Sequence, residues 1–500
     1  NIRYERLMGV SRMRKKKNLL IYLLIAVLCI PSLVFAKNTN EMSYAYDYWA
    51  RVIEDIPFFE FYKTIDQGSM GDVKVSSMDD VTVSGDRIYI VDSVESRVNV
   101  FNSDFELITS IKVVRNEEGK IAIDPKTKNQ IVLNAPEGVF IHEQEEEIYI
   151  ADTGNQRIVV LNEKDFSLKK IIESPKNIVG QTVFKPSKIV VDRINRIYVV
   201  VQSGFEGIVE LNQDGEFVRY FGVNKPKVNL LDHFWRQQAS EEQKAKMQKV
   251  LAPSFNNIEI DEEGFIYATT QDSSARDAVF RFNPKGENVL RENGFWKVRG
   301  DLNLDMDSSA TRVSKFTDIA LTDYGTYAVL DKEKGRIFIY NFDGELMNIF
   351  GGKGYMKGEL ADPTSIAWIG ENLIVTDKQM KAAYIYKPTE FGTLALSAAE
   401  AYFNGDWDKA TELLLEAVAI NGNYEMAYST IGKSYLMKED YETAMYYFKL
   451  GDNQEYYSKA FNGYRGIWIQ EHFGWIFAAI VLVICGVIFS EWRYYKKQKM

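Results

Sequence analysis

The sequence predicts a mainly β chain, a six-bladed β-propeller followed by a small helical domain and one C-terminal transmembrane helix. Three observations carry this. A four-strand unit recurs six times, paired helical segments repeat at an offset of about 34 residues, and Glu471 and Glu491 bracket a stretch free of Lys, Arg, Asp and Glu.

At the start, Arg12, Arg14, Lys15, Lys16 and Lys17 precede an apolar run from Leu19 to Ile30, and Val34-Phe35-Ala36 follows. This order of charge, apolar core and small residue reads as a secretory signal over residues 1–36, either cleaved or kept as an anchor. Cys29 follows Leu28 rather than a small residue, which makes it a poor lipid-attachment site. Residues 37–55 are expected to form a helical lead-in.

Residues 56–392 hold the repeat. Each copy, of about 45 to 70 residues, has a short alternating strand, a turn, a second strand ending in an acidic loop, a third strand and a fourth. The first strands are Val81-Thr82-Val83, Val139-Phe140-Ile141, Ile189-Val190-Val191, Ile258-Glu259-Ile260, Ile319-Ala320-Leu321 and Ile366-Ala367-Trp368. Asn102, Asn162, Asn212, Asn283 and Asn341 open the turn before the fourth strand, where residues that cap their own backbone are favoured. The sixth copy stops after Tyr384-Ile385-Tyr386. Residues 58–66 look like the fourth strands Glu216–Tyr220 and Glu345–Ile349, and are expected to close the ring by completing blade six.

Pro136-Glu137-Gly138-Val139 through Ile148-Tyr149-Ile150-Ala151-Asp152-Thr153-Gly154-Asn155-Gln156-Arg157-Ile158 resembles an NHL repeat at nearly every defining position. Asp92 with Arg97 and Asp331 with Arg336 repeat the spacing of Asp152 with Arg157, and these pairs read as structural bridges of the hairpin loop. Asp377 instead meets Ala382, and blades three and four lose the pair. The resemblance, over about residues 56–390, implies the propeller fold; NHL proteins include scaffolds, sensor domains and a few lyases, so it leaves activity open.

Long insertions at 111–135, 223–252 and 291–315 all fall between a fourth strand and the next first strand. Strand reversals put them on the same face as the loops between second and third strands, the face where binding is expected. The middle one carries Leu230, Leu231, Phe234 and Trp235, then Ser240 and Gln243 at capping-box spacing, which suggests two short helices packed over that face. After the propeller, Ala399-Glu400-Ala401-Tyr402 and Asp406-Trp407 recur as Gly432-Lys433-Ser434-Tyr435 and Asp440-Tyr441, so that residues 393–470 resemble tetratricopeptide repeats. Such a short array is expected to pack on the propeller or on a partner. Residues 471–492 are long enough to cross a bilayer, and Arg493, Lys496, Lys497 and Lys499 in the tail 493–500 mark a cytoplasmic C-terminus, with the bulk of the chain outside.

Both cysteines, Cys29 and Cys485, lie in the apolar end segments, so the exported part has no disulfide available. It also lacks Asn-x-Ser/Thr acceptors, and the two absences together suggest a bacterial surface protein. The chain's net charge of −10 includes basic flanks at both ends, so the middle is more acidic still, which excludes nucleic acid as a partner.

No catalytic constellation stands out. The three histidines, His142, His233 and His472, are too scattered for a three-His zinc site. Asp79, Asp80, Glu137, Asn256, Asn257 and Asp318 open the first strands and are expected at the channel mouth on the insertion face, with Phe234 and Trp235 nearby. Their oxygens could in principle hold Ca²⁺, as in six-bladed lactonases resembling gluconolactonase; capping of turns is the plainer role. The expected function is binding, of a protein or glycan ligand outside the membrane, without a cofactor. A Ca²⁺-dependent hydrolase and a sensory subunit of a transporter or kinase complex are the alternatives.

Overall fold

The computed structural model describes residues 43–176, 183–202, 207–222, 254–271, 277–302 and 314–498. The signal-like segment 1–36 and the insertion 223–252, with Phe234, Trp235 and His233, lie outside them.

The chain enters as a β hairpin, not as the expected helical lead-in: β1 (Ser43–Tyr46) pairs antiparallel with β2 (Val52–Asp55). The cause is local. Ala50 takes a positive φ of 63°, and the Asp47 carboxylate accepts the Trp49 and Arg51 amides at 2.9 and 2.8 Å, which closes a turn between two alternating segments. Strand β3 (Phe59–Ile65) follows.

Blade one is β4 (Asp80–Ser84), β5 (Arg87–Asp92), β6 (Arg97–Asn102) and β7 (Leu107–Ile111); blade two is β8 (Gly138–His142), β9 (Glu147–Asp152), β10 (Arg157–Asn162) and β11 (Leu168–Ile172). Blade three is β12 (Pro186–Val191), β13 (Ile197–Val201), β14 (Ile208–Leu211) and β15 (Phe217–Phe221). Blade four has β16 (Phe255–Ile260), β17 (Ile266–Thr270) and β18 (Val279–Phe282), and Asn288 bridges back to Phe282 beside them. Blade five is β19 (Phe316–Leu321), β20 (Tyr327–Asp331), β21 (Arg336–Tyr340) and β22 (Leu346–Gly351), extended outwards by β1 and β2. Blade six is β23 (Pro363–Ile369), β24 (Asn372–Asp377) and β25 (Ala382–Pro388), closed by β3 with Ile65 opposite Ala383 and Phe59 opposite Pro388. The protein is a six-bladed β-propeller.

Middle strands such as Arg87–Asp92 are apolar along nearly their whole length because both faces are covered by neighbouring blades. Tyr89, Tyr149, Tyr198, Tyr267 and Tyr327 hold equivalent places in the second strands and fill the spaces between blades. At the turns that Asn102, Asn212, Asn283 and Asn341 open, the Asn carboxamide oxygen accepts two amides ahead of it; Asn212, for example, takes Asp214 and Glu216 at 3.1 and 2.8 Å, while Asn162 takes Lys164 alone. Gly138 lies where blade two meets blade three so closely that a Cβ would overlap the Ser187 carbonyl oxygen.

Five helices follow: α1 (Glu390–Phe403), α2 (Trp407–Ile420), α3 (Glu425–Met437), α4 (Tyr441–Leu450) and α5 (Gln454–Gln498). Thr389, Asp406 and Asp440 cap α1, α2 and α4 through side-chain oxygens. Gly432 faces the Phe448 ring and Gly463 the Tyr441 ring, so small residues stand where helices approach. The helices pack on blades five and six through a shared core that includes Phe58, Phe391, Leu414, Tyr424 and Ile431. Helix α5 then runs without a break into an apolar segment that none of the other described residues covers, long and apolar enough to cross a membrane.

Candidate functional site

Along an innermost strand alternate side chains point into the propeller channel. Two tiers result. Asp80, Lys188, Asn257, Asp318 and Ser365 occupy the residue just before the aliphatic position that recurs in the first strands, a place held by Gly138 in blade two, and Thr82, Phe140, Glu259, Ala320 and Ala367 come two residues after that place in their own strands; together these ten side chains line a cavity of about 130 Å³.

The first tier staples the ring. Innermost strands of different blades share no sheet ladder, so their inner amides need other acceptors. Asp80 Oδ2 accepts Val139 N from blade two at 2.9 Å, Asp318 Oδ2 accepts Ile366 N from blade six at 2.7 Å, and Ser365 Oγ accepts Val81 N from blade one at 3.2 Å. Asn257 donates to Asp318, and the Lys188 ammonium bonds Asp80. Burial alone would lower Lys188, but Asp80 and Asp318 hold it above its ordinary value. Asp318 is pushed up to about 6 by burial, partly offset by Lys188.

Glu259 differs. Its carboxyl faces the cavity, and burial, reinforced by the Asp318 charge, pushes it up to about 8. The folded chain therefore holds this proton across the window from about 4.5 to about 8, where the unfolded chain has released it, so stability falls as pH rises through that window. Glu259→Gln removes the titration. The variant is expected to match the parent near pH 4 and to exceed it progressively up to pH 8, by as much as about 4 kcal/mol at 1.4 kcal/mol per unit. Thermal unfolding at three pH values checks this, and a difference independent of pH would contradict it.

The sequence-predicted residues divide. Asp80, Asn257 and Asp318 meet in the channel. Asp79 stands at the rim, its carboxylate bonded to Lys378 Nζ at 2.6 Å and to Ser93 N at 2.9 Å. Glu137 takes Gln202 Nε2 at 2.6 Å, and Asn256 donates to Thr317 O at 2.7 Å. Lys188, Glu259, Ser365 and Lys378 were not anticipated. A Ca²⁺ site does not fit these residues: the Lys188 ammonium supplies the positive charge between Asp80 and Asp318, and their oxygens already accept hydrogen bonds. Among the described residues no group of three or more His, Cys, Asp or Glu is arranged to hold a metal. His142 ends β8, is buried, is held below its usual value by that burial, and is not among the cavity-lining residues.

The repeat pairs vary in detail. Arg157 Nε meets Asp152 at 2.8 Å, while Arg97 stands 3.8 Å from Asp92 and donates to Lys74 O. Arg336 is the cross-strand neighbour of Asp331 but forms its ion pair with Asp301, which Lys334 shares; Asp331 accepts Lys315 N and Glu333 N instead. Insertion 111–135 folds over the blade-two loop, Asn134 N donating to Asp152 at 2.7 Å and Asn155 to Val132 O at 3.0 Å, so insertion and acidic loop do share a face. Val94, Ile121, Ile123, Val183, Tyr355 and Met356 are exposed in loops of that face.

No protein-family model and no curated protein matches the chain. Solved structures do. Virginiamycin B lyase from Staphylococcus aureus is similar at 12% identity and a TM-score of 0.40, over 66% of this chain and 99% of that one. Hydrazine synthase from Kuenenia stuttgartiensis gives 11%, 0.38, 65% and 99%. The Cps50 (Swd1) β-propeller domain from Myceliophteria thermophila gives 10%, 0.38, 66% and 100%. Likeness at this level concerns the fold alone and carries no activity across.

Proposed function

We propose that the chain is an exported, single-span membrane protein whose propeller, of the NHL kind, binds a protein ligand outside the cell through its insertion face. The helical repeats, of the tetratricopeptide kind, hold that face away from the bilayer, and the basic tail after Trp492 is cytoplasmic. One contrast carries this reading. Asp80 and Asp318 in the channel are consumed in stapling the blades, whereas Ile121, Ile123, Tyr355 and Met356 stand exposed in loops on the side of the propeller that carries the acidic loops between second and third strands. Exposed aliphatic and aromatic side chains grouped on one face suit a protein surface better than a glycan. An unbroken α5, from the helical repeats into the apolar span, also favours work as a subunit of a larger membrane complex.

A photo-cross-linking residue placed at Ile123 in the full chain, in the producing cells, is expected to trap a discrete protein species. The same residue at Ile194, exposed in a turn at the other end of the propeller, should trap none. Equal labelling from both positions would overturn the assignment of the face. Protease added outside the cells should digest the propeller and spare a tag on the C-terminus; digestion of the tag would overturn the orientation.

A further inference from the structure

Helix α5 leaves the body of the protein before its uncharged span begins. Its first turns pack on α4: Ala460 is fully buried, and a Cβ added at Gly463 would overlap the Tyr441 ring. Residues 464–471 are then exposed at every position, and the stretch free of Lys, Arg, Asp and Glu runs from 472 to 490. At 1.5 Å per residue that stretch covers about 28 Å, close to the hydrocarbon thickness of about 30 Å, so Glu471 marks the edge of the core. A bilayer about 40–45 Å thick with its headgroups leaves a layer of about 5–8 Å on each side of that core. Gly463 stands about 12 Å above Glu471, so the helix crosses the whole headgroup layer within 464–471 and the end of the α4–α5 pair is about 5 Å beyond it. That gap is within reach of a side chain.

The residues of the crossing select what surrounds them. Ile467, Trp468 and Ile469 are all more than two-fifths exposed. Being consecutive, they point to sides about 100° apart and together take up about 200° of the helix circumference. A packed partner helix covers a stripe of about 100°, so one neighbour leaves part of this surface bare, whereas a fluid that surrounds the helix meets all of it. Tyr464 and Trp468 carry rings with a polar edge, and Arg465 a long apolar stem with a charged head, the side chains suited to the level between hydrocarbon and water. Trp468 lies nearly flat on the His472 ring at 4.5 Å. Met437, 63% exposed, ends α3 at the same end of the helical domain, since the turn after it leads into Tyr441. Charge does not draw this end to lipid: Lys438 of that turn is bonded to Asp408, and Glu439 and Asp440 follow.

We propose that residues 464–471 of α5, with Met437 of the α3–α4 turn, form a lipid-contact surface seated in the outer headgroup layer through aromatic and aliphatic side chains, so that the helical repeats rest on the bilayer. This rests on the reading of α5 as a membrane span. Because the repeats share a core with blades five and six, seating them also sets the height of the propeller above the membrane.

Spin labels on single cysteines test this in the full chain, with Cys29→Ser and Cys485→Ser, in phosphatidylcholine nanodiscs holding one copy each. Power saturation compares access of oxygen, which concentrates in lipid, with access of a water-soluble nickel chelate. Labels at Ile467→Cys and Ile469→Cys are expected to show nickel access several-fold below that at Phe461→Cys, with higher oxygen access, and Val481→Cys should show the least nickel and the most oxygen. Met437 is more exposed than Ile420 in the protein itself, 63% against 42%, yet its label should be the less open to nickel in the discs. Added phosphatidylglycerol should change none of this. Val481 as open to nickel as Phe461 means that α5 does not span, and the underlying reading fails. Val481 protected while Ile467 and Ile469 match Phe461, or Met437 more open than Ile420, overturns the surface contact alone. Low access of both probes at Ile467 and Ile469 means that protein covers them, and protection that appears only with phosphatidylglycerol means that charge holds them; either result overturns the proposal.

Discussion

Deletion of residues 56–66 is expected to abolish cooperative folding of the whole propeller, not to trim one strand from it. Strand β3 is the outer strand of blade six and is separated from its partner β25 by the entire repeat, so it closes the ring with chain from the opposite end. Phe58, Phe59 and Ile65 are essentially fully buried; Phe59 stacks on Phe350 at 5.2 Å and Phe58 meets Phe391 of α1 at 5.4 Å. Loss of a buried Phe side chain costs about 3–5 kcal/mol. Two of them, an Ile and a complete strand ladder exceed the roughly 5–15 kcal/mol by which a domain is stable. Far-ultraviolet circular dichroism on heating should show no cooperative transition. Deletion of residues 43–55 makes the contrast, because that hairpin is an addition outside β22, joined to it at Tyr44 opposite Ile349. Its loss removes Ser43 and Asp55 as acceptors for the buried Asn348 Nδ2, which lowers the transition temperature but leaves a single cooperative unfolding. If both deletions behave alike, β3 is not the closure of the ring.

That closure was readable in the sequence because it is a matter of pattern. A sixth copy that stops after Tyr384-Ile385-Tyr386, and an alternating segment ahead of the first copy, leave one arrangement without an open edge. The Asn turns were readable for the same reason, since the geometry lies within a few residues of the Asn. The hairpin at 43–55 was not. Its alternation is only four residues on each side, and its turn depends on Asp47 accepting amides that composition does not reveal.

The candidate site was half legible. Asp80, Asn257 and Asp318 could be placed at the channel because they precede equivalent aliphatic residues of the first strands. The same alignment contains Lys188 and Ser365 at that position and Glu259 two residues on, a signal that attention to acidic and amide groups alone passes over. Lys188 changes the chemistry: with its ammonium against Asp80, a set of oxygens that looked ready for a cation is already neutralised. The shift of Arg336 from Asp331 to Asp301 was not legible at all, because Asp301 belongs to an insertion that no repeat positions.

Lys433→Met is expected to loosen the helical repeats from the propeller by about 3–5 kcal/mol, the cost of removing one partner from a buried ion pair. Lys433 sits in α3 with almost no exposure, and its Nζ lies 2.6 Å from Glu345 Oε1 and 3.8 Å from Asp343 Oδ2, both in the turn that ends at β22. Burial disfavours the ammonium, but Glu345 holds the group well above its ordinary value. A raised lysine contributes its full stability below the unfolded value near 10.4 and loses it only above that, so the loss in Lys433→Met should be the same from pH 5 to pH 9. Asp343 keeps a partner in the variant, since Arg291 stands 2.9 Å from it, whereas Glu345 is left with Asn341 alone. The double variant Lys433→Met, Glu345→Leu removes both charges and should regain most of the loss, because an apolar pair of similar volume avoids the desolvation that the ions carry. Calorimetry separates the possibilities. A second, earlier transition in the single variant that vanishes in the double one means the ion pair fixes the docking of the helices on blade five. Equal loss in both variants means that the apolar contacts of Phe391, Leu414 and Tyr424 fix it and that the pair adds only alignment.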